Sequence, residues 1–155
     1  MRVSDYIADF IYKLGVEDVF MLTGAGIMHL TDGVVSHEKL RAVCVHHEQS
    51  AAMAVDGYAR ANENIGVAYF TTGPGVTNAL TGVVGAWQDS VPCLFISGQV
   101  KKKETSFNSG TRQLRQFGVQ ELNVIPIVES VCKYSTMLND PQDIRYELEK
   151  AVYIA

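Results

Sequence analysis

GVAYFTTGPGVTNALTGVVGAWQDSVPCLFIS, residues 66–97, decides the fold, because it contains a whole strand, helix and strand in succession. Its ends, GVAYFTT (66–72) and PCLFIS (92–97), are short continuous apolar runs, and the span from about 76 to 89 between them is of helical length. A strand that is apolar on both faces and returns to its neighbour through a helix belongs to a parallel sheet covered on both sides. The pattern repeats toward the N-terminus. DVFMLT (18–23) and LRAVCV (40–45) are further apolar runs, separated by a helical segment around 28–36, and a small-residue helix begins near Glu48. Before them, residues 4–14 carry Ile7, Phe10, Ile11 and Leu14 on one helical face, with Ser4 as the expected N-cap and Gly15 past the end. The expected architecture is α/β, a doubly wound, flavodoxin-like parallel sheet with helices on both faces.

The C-terminal third is less regular. GQVKKKETSFNSGTRQLRQ (98–116) has no apolar period and reads as a long loop over the carboxyl edge of the sheet, where loops of that length usually serve function. VIPIVESV (124–131) and CKYSTML (132–138) read as a short helix followed by a strand. DPQDIRYELEKAVYIA (140–155) reads as a closing helix with Asp140 as N-cap and Pro141 in its first turn.

Composition narrows the function. With 155 residues, 47% hydrophobic and 19% charged, the chain is large enough for one well-buried domain, and its net charge of −4 argues against a nucleic-acid partner. No apolar stretch reaches the length of a membrane-spanning helix. Cys44, Cys93 and Cys132 stand apart in apolar runs, so they are expected to be small core residues of a protein in the reducing cytoplasm. The basic group Lys101, Lys102, Lys103, Arg112 and Arg115 is expected to be a solvated loop surface rather than an anion site.

In such a fold ligands bind at the carboxyl ends of the strands, near the switch in strand order. TGAG (23–26), Glu48 and TTGPG (71–75) all fall there. Gly24-x-Gly26 with Glu48 further on partly matches a dinucleotide fingerprint, but His29 stands where the third glycine belongs. His46, His47 and Glu48 are metal-ligand types, yet adjacent strand-end histidines point to opposite faces, so at least one is expected to serve as a structural hydrogen-bonding group. A glutamate at a helix start can also be only a favourable dipole partner.

HHEQSAAMAVDGYAR (46–60) and TTGPGVTNALTGVVGAWQDSVPCLFISGQV (71–100) resemble the pyrimidine-binding domain of thiamine-diphosphate-dependent enzymes of the acetolactate synthase group. The likeness runs without an obvious gap over residues 22–100 and more loosely over most of the chain. It implies that the Glu48 carboxyl bonds the aminopyrimidine ring nitrogen and favours the imino tautomer, which deprotonates the thiazolium carbon. The ylid then attacks a 2-keto acid such as pyruvate, with carboligation following decarboxylation. The resemblance also implies cofactor contacts from Thr23, Gly24, Ala25, Thr71, Gly73, Pro74, Asn78 and Gln99, and a substrate contact from Gln120.

Some positions depart from the family pattern. Leu22 and Thr23 stand where Tyr-Pro is common, and Val119 stands where a Phe precedes the Gln120-Glu121 pair. The diphosphate and its Mg²⁺ belong to a further domain with a G-D-G…N motif, which is not found here, and FAD is a further candidate cofactor. A sixth strand of the form G-x-P-V-x-x-D-I-P is not found either. Residues 1–155 are therefore read as a fragment without its last strand, its central domain and its diphosphate-binding domain, inactive by itself and belonging to a homodimer or homotetramer. The segment 79–87, with Gly82 and Gly85, is expected to meet a partner helix. Two alternatives remain: a nicotinamide dinucleotide-binding oxidoreductase domain, and a non-catalytic assembly module of the thiamine fold.

Overall fold

The computed structural model describes residues 1–111 and 114–155. Four strands, β1 (Asp18–Met21), β2 (Arg41–Cys44), β3 (Gly66–Phe70) and β4 (Cys93–Ser97), form one parallel sheet in the order β2-β1-β3-β4. Helices α1 (Val3–Lys13), α2 (Met28–Val35), α3 (Glu48–Asn62), α4 (Pro74–Gln88), α5 (Ile125–Val128) and α6 (Ile144–Ile154) cover it. Two cores result, one on each face, because successive side chains of a strand point to opposite sides. On β3, Val67 and Tyr69 join Ile7 and Ile11 of α1, Val34 of α2 and Leu148 of α6. Ala68 and Phe70 join Ala52 and Val55 of α3, Ala79 and Val83 of α4 and Val128 of α5. The doubly wound α/β reading therefore holds.

Details differ from expectation where tertiary contacts decide. Arg2, not Ser4, caps α1, its N–H donating to Asp5 Oδ2 (3.1 Å), while Ser4 is buried inside the first turn against Gly33 of α2. β2 lies at the edge of the sheet and is half-exposed rather than buried, which leaves Cys44 exposed at its end. Asp140 caps the single 3-10 turn (Pro141–Asp143) that leads into α6, its Oδ1 accepting from Gln142 N–H (2.9 Å), whereas the N-cap of α6 itself is Asp143. Gly82 is spent inside the chain: a Cβ there would stand 2.5 Å from the Ala52 Cβ of α3, whereas Gly85 faces open space.

The expected strand at 132–138 does not form a ladder. A ladder needs a neighbour about 4.8 Å away. Instead, residues 133–138 and the whole of β4 both line one cavity of about 700 Å³. The bonds from Gly98 N–H to Phe70 O and from Gly66 N–H to Pro92 O fix the parity of β4. Even-numbered residues bond β3, so Cys93, Phe95 and Ser97 turn their backbone groups toward that cavity.

Candidate functional site

The chain leaves β1 toward β2 on one side and returns to β3 on the other, so the switch point lies between β1 and β3. The turns that follow these two strands are in contact. Thr71 Oγ1 accepts from Gly26 N–H (3.3 Å), and a Cβ on Gly24 would lie 2.4 Å from the same oxygen. A Cβ on Gly26 would meet Thr72 Oγ1 at 2.0 Å, and one on Gly98 would meet the Gly26 carbonyl at 2.0 Å. These glycines exist so that three strand-end turns can interlock. The faces of Gly24 and Gly26 are filled by threonine side chains rather than open to a pyrophosphate, so the dinucleotide reading loses its cradle.

Glu48 is the first residue of α3, next to this interlock. His47 supplies the N-cap, its Nδ1 accepting from Gln49 N–H (3.2 Å), so one of the paired histidines is a structural hydrogen-bonding group, as expected. Glu48 is only 6% exposed. Asn78, one turn into α4, donates from Nδ2 to Glu48 Oε2 (3.0 Å). The other oxygen, Oε1, lies 3.4 Å from where a Cβ on Gly75 would stand. The result is a buried carboxylate fixed through one oxygen, with its second oxygen beside a bare glycine. Among the described residues no group of three or more His, Cys, Asp or Glu could hold a metal ion.

The other expected residues divide between this cluster and its surroundings. Gly73 and Pro74 start α4, with Gly73 at φ +61, in the region that favours glycine. Thr23, Gly24 and Ala25 line a separate shallow pocket of about 510 Å³ with Met28, Thr31, Asp32 and Val35. Gln99 has both ends of its amide engaged: Nε2 donates to Leu122 O (2.8 Å) and Oε1 accepts from Val100 N–H (2.9 Å). Gln120 is exposed, and its backbone lies over Gly73. Lys101, Lys102 and Lys103 are exposed, with Lys101 beside Glu104 (3.5 Å); Arg112 lies outside the described residues.

Two contributors go beyond the expected site residues. Gly75 is the residue whose missing side chain leaves room beside Glu48, and the second glycine of TTGPG was its signal. Glu121 is the other, and it organises the loop after β4.

Residues 1–127 match the family described as thiamine pyrophosphate enzyme, N-terminal TPP binding domain. The chain belongs to this family. Its similarity to curated relatives extends further along the sequence. It is 35% identical over 152 residues to an acetolactate synthase large subunit of Cyanidium caldarium, covering 96% of this chain and 24% of the relative. It is 36% identical over 141 residues to the acetolactate synthase large subunit of Haemophilus influenzae, covering 91% and 23%. With the acetolactate synthase isozyme 3 large subunit of Escherichia coli the identity is 34% over 141 residues, again covering 91% and 23%. The chain thus spans about a quarter of the length of these relatives. As a TPP binding domain, it has its buried carboxylate at the edge where the fold binds ligands. No helix of the described residues is long and apolar enough to cross a membrane.

Proposed function

We propose that this chain is the aminopyrimidine-binding part of an acetolactate synthase-type enzyme, in which Glu48 exchanges a proton with the pyrimidine ring nitrogen of thiamine diphosphate. The observation that carries this is the Glu48 carboxylate itself, buried, held at Oε2 by Asn78 and bordered at Oε1 by Gly75. A flat heteroaromatic ring fits such a donor set. One oxygen is already satisfied, the second is free to hold a proton toward a ring nitrogen, and a glycine lets the ring come close. Burial strengthens that hydrogen bond by excluding water. When bound, thiamine diphosphate supplies a carbon nucleophile that attacks a 2-keto acid carbonyl. Glu48 would hold the ring and move its proton. Asn78 would keep the carboxylate in place, and Thr71, Gly73 and Pro74 would shape the floor.

The same reading gives the whole protein a 2-keto acid substrate such as pyruvate, a cytoplasmic setting and a homodimeric or homotetrameric assembly. Mg²⁺ falls to polypeptide outside this chain, with the diphosphate arm, and FAD is a further candidate cofactor there. The open flank of β4 supports the view that residues 1–155 are one piece of a longer enzyme. Its unpaired edge faces a cavity lined by Val83, Val128, Leu148 and Ala155, a place for an apolar strand. We read the helix α6 as the crossover that would deliver such a strand parallel to β4.

The test is Glu48→Gln in the full-length protein that carries this chain. Pyruvate turnover is expected to fall about 100-fold or more, with far-UV circular dichroism unchanged. Turnover near that of wild type overturns the reading and leaves Glu48 as a helix-start charge worth about 0.3–1 kcal/mol.

A further inference from the structure

The resemblance names Gln99 among the cofactor contacts, but the structure engages its amide with the backbone of its own chain. Nε2 donates to Leu122 O (2.8 Å) and Oε1 accepts from Val100 N–H (2.9 Å). A backbone N–H must meet the amide oxygen and a carbonyl the amide nitrogen, so these two partners leave one orientation of the side chain. Gln99 thereby closes the loop that follows β4, joining its first residues to Leu122.

The base of this tie is fixed by the sheet. Gly98 donates its N–H to Phe70 O (3.0 Å), which extends the β3–β4 ladder, and a Cβ on Gly98 would stand 2.0 Å from the Gly26 carbonyl. The far end bears on the site. Gln120, two residues before Leu122, has φ +61, a left-handed geometry that a non-glycine residue adopts when its surroundings impose it. Its carbonyl oxygen would be 2.0 Å from a Cβ on Gly73. Gly73 is the N-cap of α4 and offers no side-chain cap. The first N–H groups of a helix lack intrahelical partners, so a contact from outside the helix helps decide where its first turn sits. The start of α4 in turn supplies both neighbours of the Glu48 carboxylate, Gly75 beside Oε1 and Asn78 on Oε2.

We propose that Gln99 is a positioning residue and not a cofactor contact: its amide ties Leu122 to the end of β4, holds the Gln120 carbonyl against Gly73, and so sets the start of α4 beside Glu48. This rests on the proposed function, and the experiment separates the two.

The experiment compares wild type, Gln99→Leu and Gln99→Glu in the full-length protein. It reads backbone amide exchange at Val100 and Val76 without cofactor, the Kd for thiamine diphosphate, and deuterium exchange at the thiazolium carbon of the bound cofactor. Val76 N–H donates to Gly73 O (2.9 Å), so it reports the first turn of α4. Q99L removes both bonds: Val100 and Val76 should exchange faster, and thiazolium exchange should fall about tenfold or more while Kd stays within about twofold. Q99E can still accept from Val100 N–H but cannot donate to Leu122 O, so Val100 should stay protected while Val76 and the thiazolium carbon change as in Q99L; it carries the test alone should Q99L fail to fold. Unchanged Val76 protection in both variants overturns the proposal, and so does a Kd raised tenfold with Val76 still protected, the mark of a direct cofactor contact. Loosened Val76 with unchanged thiazolium exchange overturns it too, leaving Gln99 a purely structural tie. A wild-type protein without thiazolium exchange overturns the cofactor reading itself, and with it the role of Gln99 toward Glu48.

Discussion

The carboxyl edge at β1 and β3 and the outer flank of β4 belong to one sheet and are finished in opposite ways. At the carboxyl edge the turns interlock, each missing side chain answered by a neighbour: Gly24 by Thr71, Gly26 by Thr72, Gly98 by the Gly26 carbonyl. At the flank, Phe95 and Ser97 turn backbone groups with no partner among the described residues toward a cavity of about 700 Å³. The contrast teaches where this chain is self-sufficient. Around Glu48 the turns of this chain pack against one another, whereas the far side of the sheet presents an edge that other polypeptide can pair with.

The largest expected effects lie on the finished side. Gly73→Ala should destabilise the protein by about 1–3 kcal/mol from the positive φ alone, before the Gln120 carbonyl is displaced, as measured by urea unfolding. Gly75→Val should keep the fold and weaken thiamine diphosphate binding about tenfold or more, because its side chain would press on Thr71 and Glu48. Unaltered affinity in that variant would mean that the ring does not approach along Gly75.

On the unfinished side, amide exchange sharpens the comparison. Phe95 and Ser97 should exchange about 100-fold faster in the isolated 155-residue chain than in the longer protein, while Leu94 and Ile96 stay protected in both. Equal protection of all four residues would contradict pairing at this edge.

Smaller effects come from the core between the two regions. The Tyr69 hydroxyl is fully buried without a hydrogen-bond partner among the described residues, and burial raises its pKa above the ordinary tyrosine value. Tyr69→Phe should therefore be neutral or stabilising by about 1 kcal/mol, read by thermal unfolding. Cys93, whose thiol is pushed up to about 12 first by burial and then by Asp56, should resist alkylation at pH 8. The exposed Cys44 should react.

Much of this was legible in the sequence because it is carried by local pattern. The runs at 66–72 and 92–97 became β3 and β4, and the helix between them begins at Pro74, where the missing N–H costs nothing. Glu48 is legible through the motif around it, HHEQSAAMAVDGYAR, since a glutamate at a helix start by itself reads as a dipole partner. Long-range contacts were not legible. No local rule tells that Gly26 needs its hydrogen to admit Thr72, or that Gln99 spends its amide on Leu122. The run 132–138 has strand composition, but a ladder depends on what lies next to it, and this segment lines a cavity with β4 without pairing to it. Glu121 could not be read as a clamp because its donors at Ser106 and Phe117 meet only once the loop has folded back.

The central claim is that Glu48 is a proton relay and not a helix-start charge. Its most direct measurement is deuterium exchange at the thiazolium carbon of thiamine diphosphate bound to the full-length protein, in wild type and in Glu48→Gln. The account predicts fast exchange in wild type and a fall of about 100-fold or more in the variant. Equal rates in the two proteins would contradict it.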